Sequence, residues 1–93
     1  MARVLVVLKV YPSDVDEGLR RRILDELRVK LPSDFDLVRA TEEPVAFGYS
    51  VLRIYVTIPE DIEGGTQALE DAVASVSGVD EVEVEMVHRL SEF

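Results

Sequence analysis

The chain has 93 residues, 47% of them apolar and 31% charged, with no cysteine. That is the size and balance of one small globular domain with a core of its own, and it excludes a two-lobed enzyme, a disordered tail and a collagen. Without a thiol there is no disulfide, no Cys-ligated zinc, no iron–sulfur cluster and no thiol nucleophile, so stability must come from packing. The longest apolar run, residues 4–8, is far short of the roughly 18 to 20 residues of a membrane span. No leader-like segment is evident, so the expected compartment is the cytoplasm.

The net charge of −9 repels a phosphate backbone and argues against nucleic acid or an anionic membrane as the partner. The charge is unevenly spread. Residues 1–41 hold eight Lys and Arg against seven acids, and residues 42–93 hold two Arg against twelve acids. The acidity of the second half suits either plain solubility or a basic protein surface as partner.

Along the chain, residues 3–11 (RVLVVLKVY) are apolar on both alternation phases, as a central strand covered on at least one face would be. Residues 13–16 (SDVD) have the form of a capping box and predict the start of a helix. Its apolar stripe is Leu19, Ile23, Leu24, Leu27 and Leu31, and Pro32 predicts its end near residue 30. Arg20, Arg21 and Arg22 read as a solvated helix face. Phe35, Leu37 and Arg39 alternate with Asp36, Val38 and Ala40 in a second strand that fades at residues 41–44. Pro44 and Gly48 then predict an irregular connection that nevertheless carries Val45, Ala46 and Phe47. Residues 49–58 alternate well, with Leu52, Ile54, Val56 and Ile58 on the buried phase. After the breaker PEDIEGG, Thr66 is the expected cap of a second helix with Ala68, Leu69, Ala72, Val73 and Val76 inward, and Gly78 its expected left-handed end. From Val79 to His88 a fourth strand places Val82, Val84 and Met86 opposite Glu81, Glu83 and Glu85.

The order strand, helix, strand, strand, helix, strand is the split βαβ arrangement. The expected fold is ferredoxin-like α+β: one domain over residues 1–93, a four-stranded antiparallel sheet and two helices on one of its faces.

Architecture does not assign function, so each chemistry must be tested at its own residues. A metallochaperone needs soft Cys ligands, which are missing. An acyl-phosphate hydrolase on this fold would use Asn, and the chain has none. An RNA-recognition sheet needs stacking aromatics and positive charge, and the chain offers three Tyr at −9. His88 is the only His and reads as a structural or partly exposed residue. Glu81, Glu83 and Glu85 could offer oxygens to a hard cation but read as a solvated strand face. Gly64-Gly65-Thr66 lacks the Lys of a phosphate-binding loop and reads as a turn. These residues predict no cofactor and no catalytic group.

The segment EEPVAFGYSVLRIYVTIPED departs from a plain surface: it places an aromatic, Phe47, in a turn bounded by Pro and Gly, where it either returns to the core or meets a partner. Together with the EGGT turn before the second helix and the terminal SGVDEVEVEMVHRL, it makes nearly the whole chain resemble the archaeal elongation factor 1-beta family. The resemblance implies a binding module without chemistry of its own, which promotes GDP release from the GTPase that carries aminoacyl-tRNA. It implies Pro44, Phe47, Gly48, His88, Arg89 and Leu90 as partner-binding residues. In related factors a Lys-Leu pair ends the domain and the Lys enters the GTPase's magnesium and phosphate site; Arg89-Leu90 stand there here, with a planar guanidinium in place of a compact ammonium. By the same resemblance Phe47 wedges near the GTPase's switch regions. Apart from the resemblance, exchange needs only two contacts, which are expected on adjacent elements, and Ser91-Glu92-Phe93 must stay clear. A monomer is the expected state. The alternative from a different class is a dimeric ferredoxin-like domain that senses a small metabolite at a polar interface pocket.

Overall fold

The computed structural model describes residues 2–61 and 64–90. Six elements follow the expected order: β1 (Arg3–Pro12), α1 (Glu17–Lys30), β2 (Asp36–Ala46), β3 (Tyr49–Pro59), α2 (Thr66–Ala74) and β4 (Val79–Leu90). The strands form one antiparallel sheet in the order β2-β3-β1-β4, so the fold is ferredoxin-like α+β. Alternation places Val6, Leu8 and Val10 of β1 and Leu52, Ile54, Val56 and Ile58 of β3 on one face. There they join Leu19, Ile23 and Leu27 of α1 and Leu69 and Val73 of α2 in a single buried core.

Several local details differ from the sequence expectations. Asp16, not Ser13, caps α1, its carboxylate accepting from the Gly18 amide at 2.9 Å. Arg20 is not solvated. It is 9% exposed, ion-paired through Nε with Glu42, and its Nη1 donates to the Val15 carbonyl at 3.1 Å, which fastens α1 to β2. The cap of α2 is Gly65 at φ 55, and Thr66 is the first helical residue.

The connection predicted over residues 43–48 is mostly strand. β2 continues to Ala46, and only Phe47 and Gly48 separate it from β3, both with positive φ (40° and 81°), as in the type I′ hairpin. Pro44 is tolerated because β2 is an edge strand, and a register shift between Pro44 and Ala46 takes up the irregularity. A further shift between Leu37 and Arg39 sets Leu37 and Ala40, not Leu37 and Arg39, against the core. In β4 a shift beside the Val7/Leu8 step moves Met86 opposite Val7, onto the open face and away from the Val82 and Val84 phase expected for it.

That open face carries charge matched to charge. Arg53 lies 2.9 Å from both Glu43 and Glu85, Lys9 lies 3.5 Å from Glu85, and Arg39 sits 5.8 Å over the Tyr55 ring. Partial burial pulls the Arg53 pKa down, and the carboxylates of Glu43 and Glu85 raise it further than that, so the cation is held charged at the centre of the sheet.

Gly78 follows α2 in the turn to β4 at φ 94, and its carbonyl accepts from the Ser13 amide at 2.8 Å. A Cβ there would stand 2.5 Å from Leu19 Cδ1. Gly78→Ala therefore combines a strained backbone with a core clash and should lower unfolding free energy by about 2–4 kcal/mol in urea titrations; a loss under about 0.5 kcal/mol, typical of a neutral surface change, would contradict the close approach to Leu19.

Candidate functional site

The candidate residues fall into two groups. Pro44, Phe47 and Gly48 belong to the β2–β3 hairpin, and His88, Arg89 and Leu90 to the end of β4. The register shows how far apart these are. Val10 pairs with Leu52 and Pro12 with Val79 at the hairpin end of the sheet, while Val4 pairs with Arg89 and Arg3 with Leu90 at the other. β2 and β4 are moreover the two edge strands, with β3 and β1 between them. Phe47 and Arg89 thus lie diagonally across the sheet, roughly 30 Å apart along the strands, in a molecule 42 Å long. The expectation that they sit on neighbouring elements is overturned, because the sheet order β2-β3-β1-β4 places the hairpin's β2 and the last strand on opposite edges.

At the hairpin, Phe47 is fully exposed, so it does not return to the core. Its conformation is costly: a non-glycine residue at φ 40 sits where Asn or Gly is usual, by about 1 kcal/mol. The tip is nonetheless held firmly. The Tyr49 hydroxyl donates to the Pro12 carbonyl at 2.7 Å and ties the hairpin to the end of β1. Burial, with lesser contributions from Asp80, Tyr11 and Glu81, raises the Tyr49 pKa and keeps that donor protonated. Glu42 and Glu43 of β2 and Asp80 and Glu81 of β4 lie at this end of the sheet, as do Asp14, Asp16 and Glu17, which follow β1 into α1. Part of the acidity seen along the sequence therefore lies at the hairpin end of the sheet, with Glu42 and Glu43 ion-paired to Arg20 and Arg53.

At the other end, alternation divides the last three candidates. His88 pairs with Leu5 and Leu90 with Arg3 on the open face, whereas Arg89 pairs with Val4 on the helix-bearing face. His88 is exposed and Leu90 half-buried. The Arg89 side chain is 73% exposed and ion-paired with Glu60, which follows Pro59, the last residue of β3. Sequence reading missed Glu60; no periodicity links it to Arg89, and only the sheet order, with β1 between β3 and β4, brings them within reach. The expected role of Ser91-Glu92-Phe93 lies outside the described residues.

The carboxylates of β4 form no cation cage. Glu85 is engaged by Lys9 and Arg53, and among the described residues no three His, Asp or Glu side chains converge as a metal requires. Among the described residues no helix is long and apolar enough to cross a membrane.

Comparison with known proteins bears on the fold and the family. In solution, the C-terminal domain of the MgtC protein from Mycobacterium tuberculosis has a similar fold, with a TM-score of 0.50 at 13% identity over 96% of this chain and 87% of that one, a likeness of fold alone. A protein named elongation factor 1-beta from Hyperthermus butylicus is 50% identical over 93 residues, covering 100% of both chains. Proteins of the same name from Ignicoccus hospitalis and Staphylothermus marinus are each 45% identical over 91 residues, covering 98% of this chain and 96% and 100% of theirs. The model of the EF-1 guanine nucleotide exchange domain matches residues 5–90. With that match spanning all but the first four and last three residues, the chain belongs to the EF-1 guanine nucleotide exchange domain family and is a guanine-nucleotide exchange module.

Proposed function

We propose that the protein is a non-enzymatic cytoplasmic factor that promotes GDP release from the elongation GTPase of the EF-1 alpha type, with Arg89 entering the GTPase's magnesium and phosphate site. The observation that carries the reading is the family match over residues 5–90, to which the geometry adds a mostly exposed guanidinium at the end of a rigid strand. Exchange needs no bond-making chemistry. A factor accelerates release when it binds the nucleotide-free or magnesium-depleted GTPase more tightly than the loaded form, and linkage makes that coupling mutual. A cation offered to phosphate oxygens and to the magnesium ligands supplies such a preference.

The wide separation of Phe47 from Arg89 gives the partner surface a shape. It must run the length of the sheet, taking Phe47 in an apolar pocket with Pro44 and Gly48 setting the turn, and taking Arg89, flanked by His88 and Leu90, at its nucleotide site. Asp80 and Glu81, at the same end of the sheet as Phe47, favour a basic rim on that pocket. Both sheet edges are built against self-pairing, β2 by Pro44 and two register shifts and β4 by alternating Glu and two register shifts, which supports a monomeric factor. The direct test is GDP release from the cognate elongation GTPase at micromolar protein. The release rate should rise well above the spontaneous rate, and no acceleration would overturn the proposal.

A further inference from the structure

Arg89 is tethered in the free protein. Its Nη2 forms an ion pair with Glu60 Oε1. Val4 of β1 stands opposite Arg89 on one side and Ile58 on the other, and Glu60 follows Ile58 by two residues, so both partners project from the helix-bearing side of the sheet. The pair spans β1, joining strands whose backbones are roughly 10 Å apart. Its halves are unequal. The Glu60 amide donates to the Ala2 carbonyl at 3.2 Å and its side chain is 34% exposed, against 73% for Arg89. A carboxylate on an anchored backbone thus holds the end of a long arm. Among the described residues it is the one carboxylate within ion-pair distance of Arg89.

We propose that Glu60 is a latch on Arg89, holding the cation across the end of β1 until phosphate oxygens of the partner displace the carboxylate. This inference rests on the reading of Arg89 given above. An internal anion that engages Arg89 only before docking subtracts its own interaction from that of the partner. For an exposed pair that is a factor of about 1.5 to 5. A phosphate cluster, which can take the guanidinium fork two oxygens at a time, outcompetes one carboxylate contact; a weakly anionic surface does not. The latch therefore weakens by one common factor every surface that must take up Arg89, a cost that a phosphate cluster can bear and a weakly anionic surface cannot.

Glu60→Gln keeps the shape and removes the charge. In the free protein, the nitrogen-15 signal of the Arg89 Nε–H should shift and report greater side-chain mobility. With the GTPase at low salt and subsaturating factor, GDP release should become about 1.5- to 5-fold faster than with the unaltered protein, and that ratio should fall toward one near 1 M salt, where the pair is screened. On an Arg89→Ala background the same substitution should change nothing, because the latch acts only through Arg89. Slower or unchanged release, or an equal gain without Arg89, overturns the proposal. If the unaltered protein leaves GDP release untouched, the exchange reading fails instead, while an Arg89 signal indifferent to Glu60→Gln overturns the latch itself.

Discussion

Arg89→Ala is expected to slow factor-stimulated GDP release by about 30-fold or more, the effect of removing a desolvated, hydrogen-bonded charge from an interface. Unfolding free energy should change by less than about 1 kcal/mol, because the side chain is 73% exposed and the contact it loses is a surface ion pair. The two measurements together separate a residue that acts on the partner from one that holds the fold. Arg89→Lys sharpens the result. A Lys keeps the charge as a compact point and loses the planar fork. If displacement of Mg²⁺ by charge dominates, Lys should retain most of the rate, and if bidentate contact with phosphate dominates, it should resemble Ala. Unchanged release in Arg89→Ala would remove the residue from the mechanism altogether.

The fold was legible in the sequence wherever burial imposes a period. The alternation of residues 49–58 and the stripe of Leu19, Ile23 and Leu27 both returned as core, because a residue on the wrong phase would bring a polar group into it. What periodicity could not reveal were the places where the period is reset. The shifts near Val38 in β2 and Glu85 in β4 each insert one residue into a ladder, and the side chains beyond them change face. Met86 was misplaced for that reason. The turn at Phe47 was misread for another: Pro44 ordinarily ends a strand, but on an edge its missing amide hydrogen is not needed.

The candidate site was legible as residue types and illegible as geometry. Phe47 and Arg89 stand as candidates by the motifs around them. Their placement at opposite corners follows from the strand order β2-β3-β1-β4, which chain order alone does not display. Arg20 and Glu60 were missed on the same account. Each lies near its partner only through strand pairing or helix docking, and neither the 22 residues from Arg20 to Glu42 nor the path from Glu60 to Arg89 has a repeating pattern to detect.

Phe47→Asn should move stability and binding in opposite directions. Phe47 is at φ 40 in a two-residue turn whose next residue, Gly48, is at φ 81, and Asn-Gly is the pair such a turn favours. Relief of the backbone strain should raise unfolding free energy by about 0.5–1 kcal/mol. No packing is lost in return, since the ring is fully exposed. Affinity for the GTPase should instead fall by about 2 kcal/mol, or roughly 30-fold, the cost of removing an aromatic anchor from a pocket on the partner. A large exposed aromatic on a strained turn is what selection for folding alone would remove, so the expected gain in stability measures what the hairpin gives up for contact. Isothermal titration against the nucleotide-free GTPase, paired with urea unfolding of the factor alone, tests both halves. Lower stability with unchanged affinity would mean that the ring serves the hairpin and that the partner's pocket lies elsewhere.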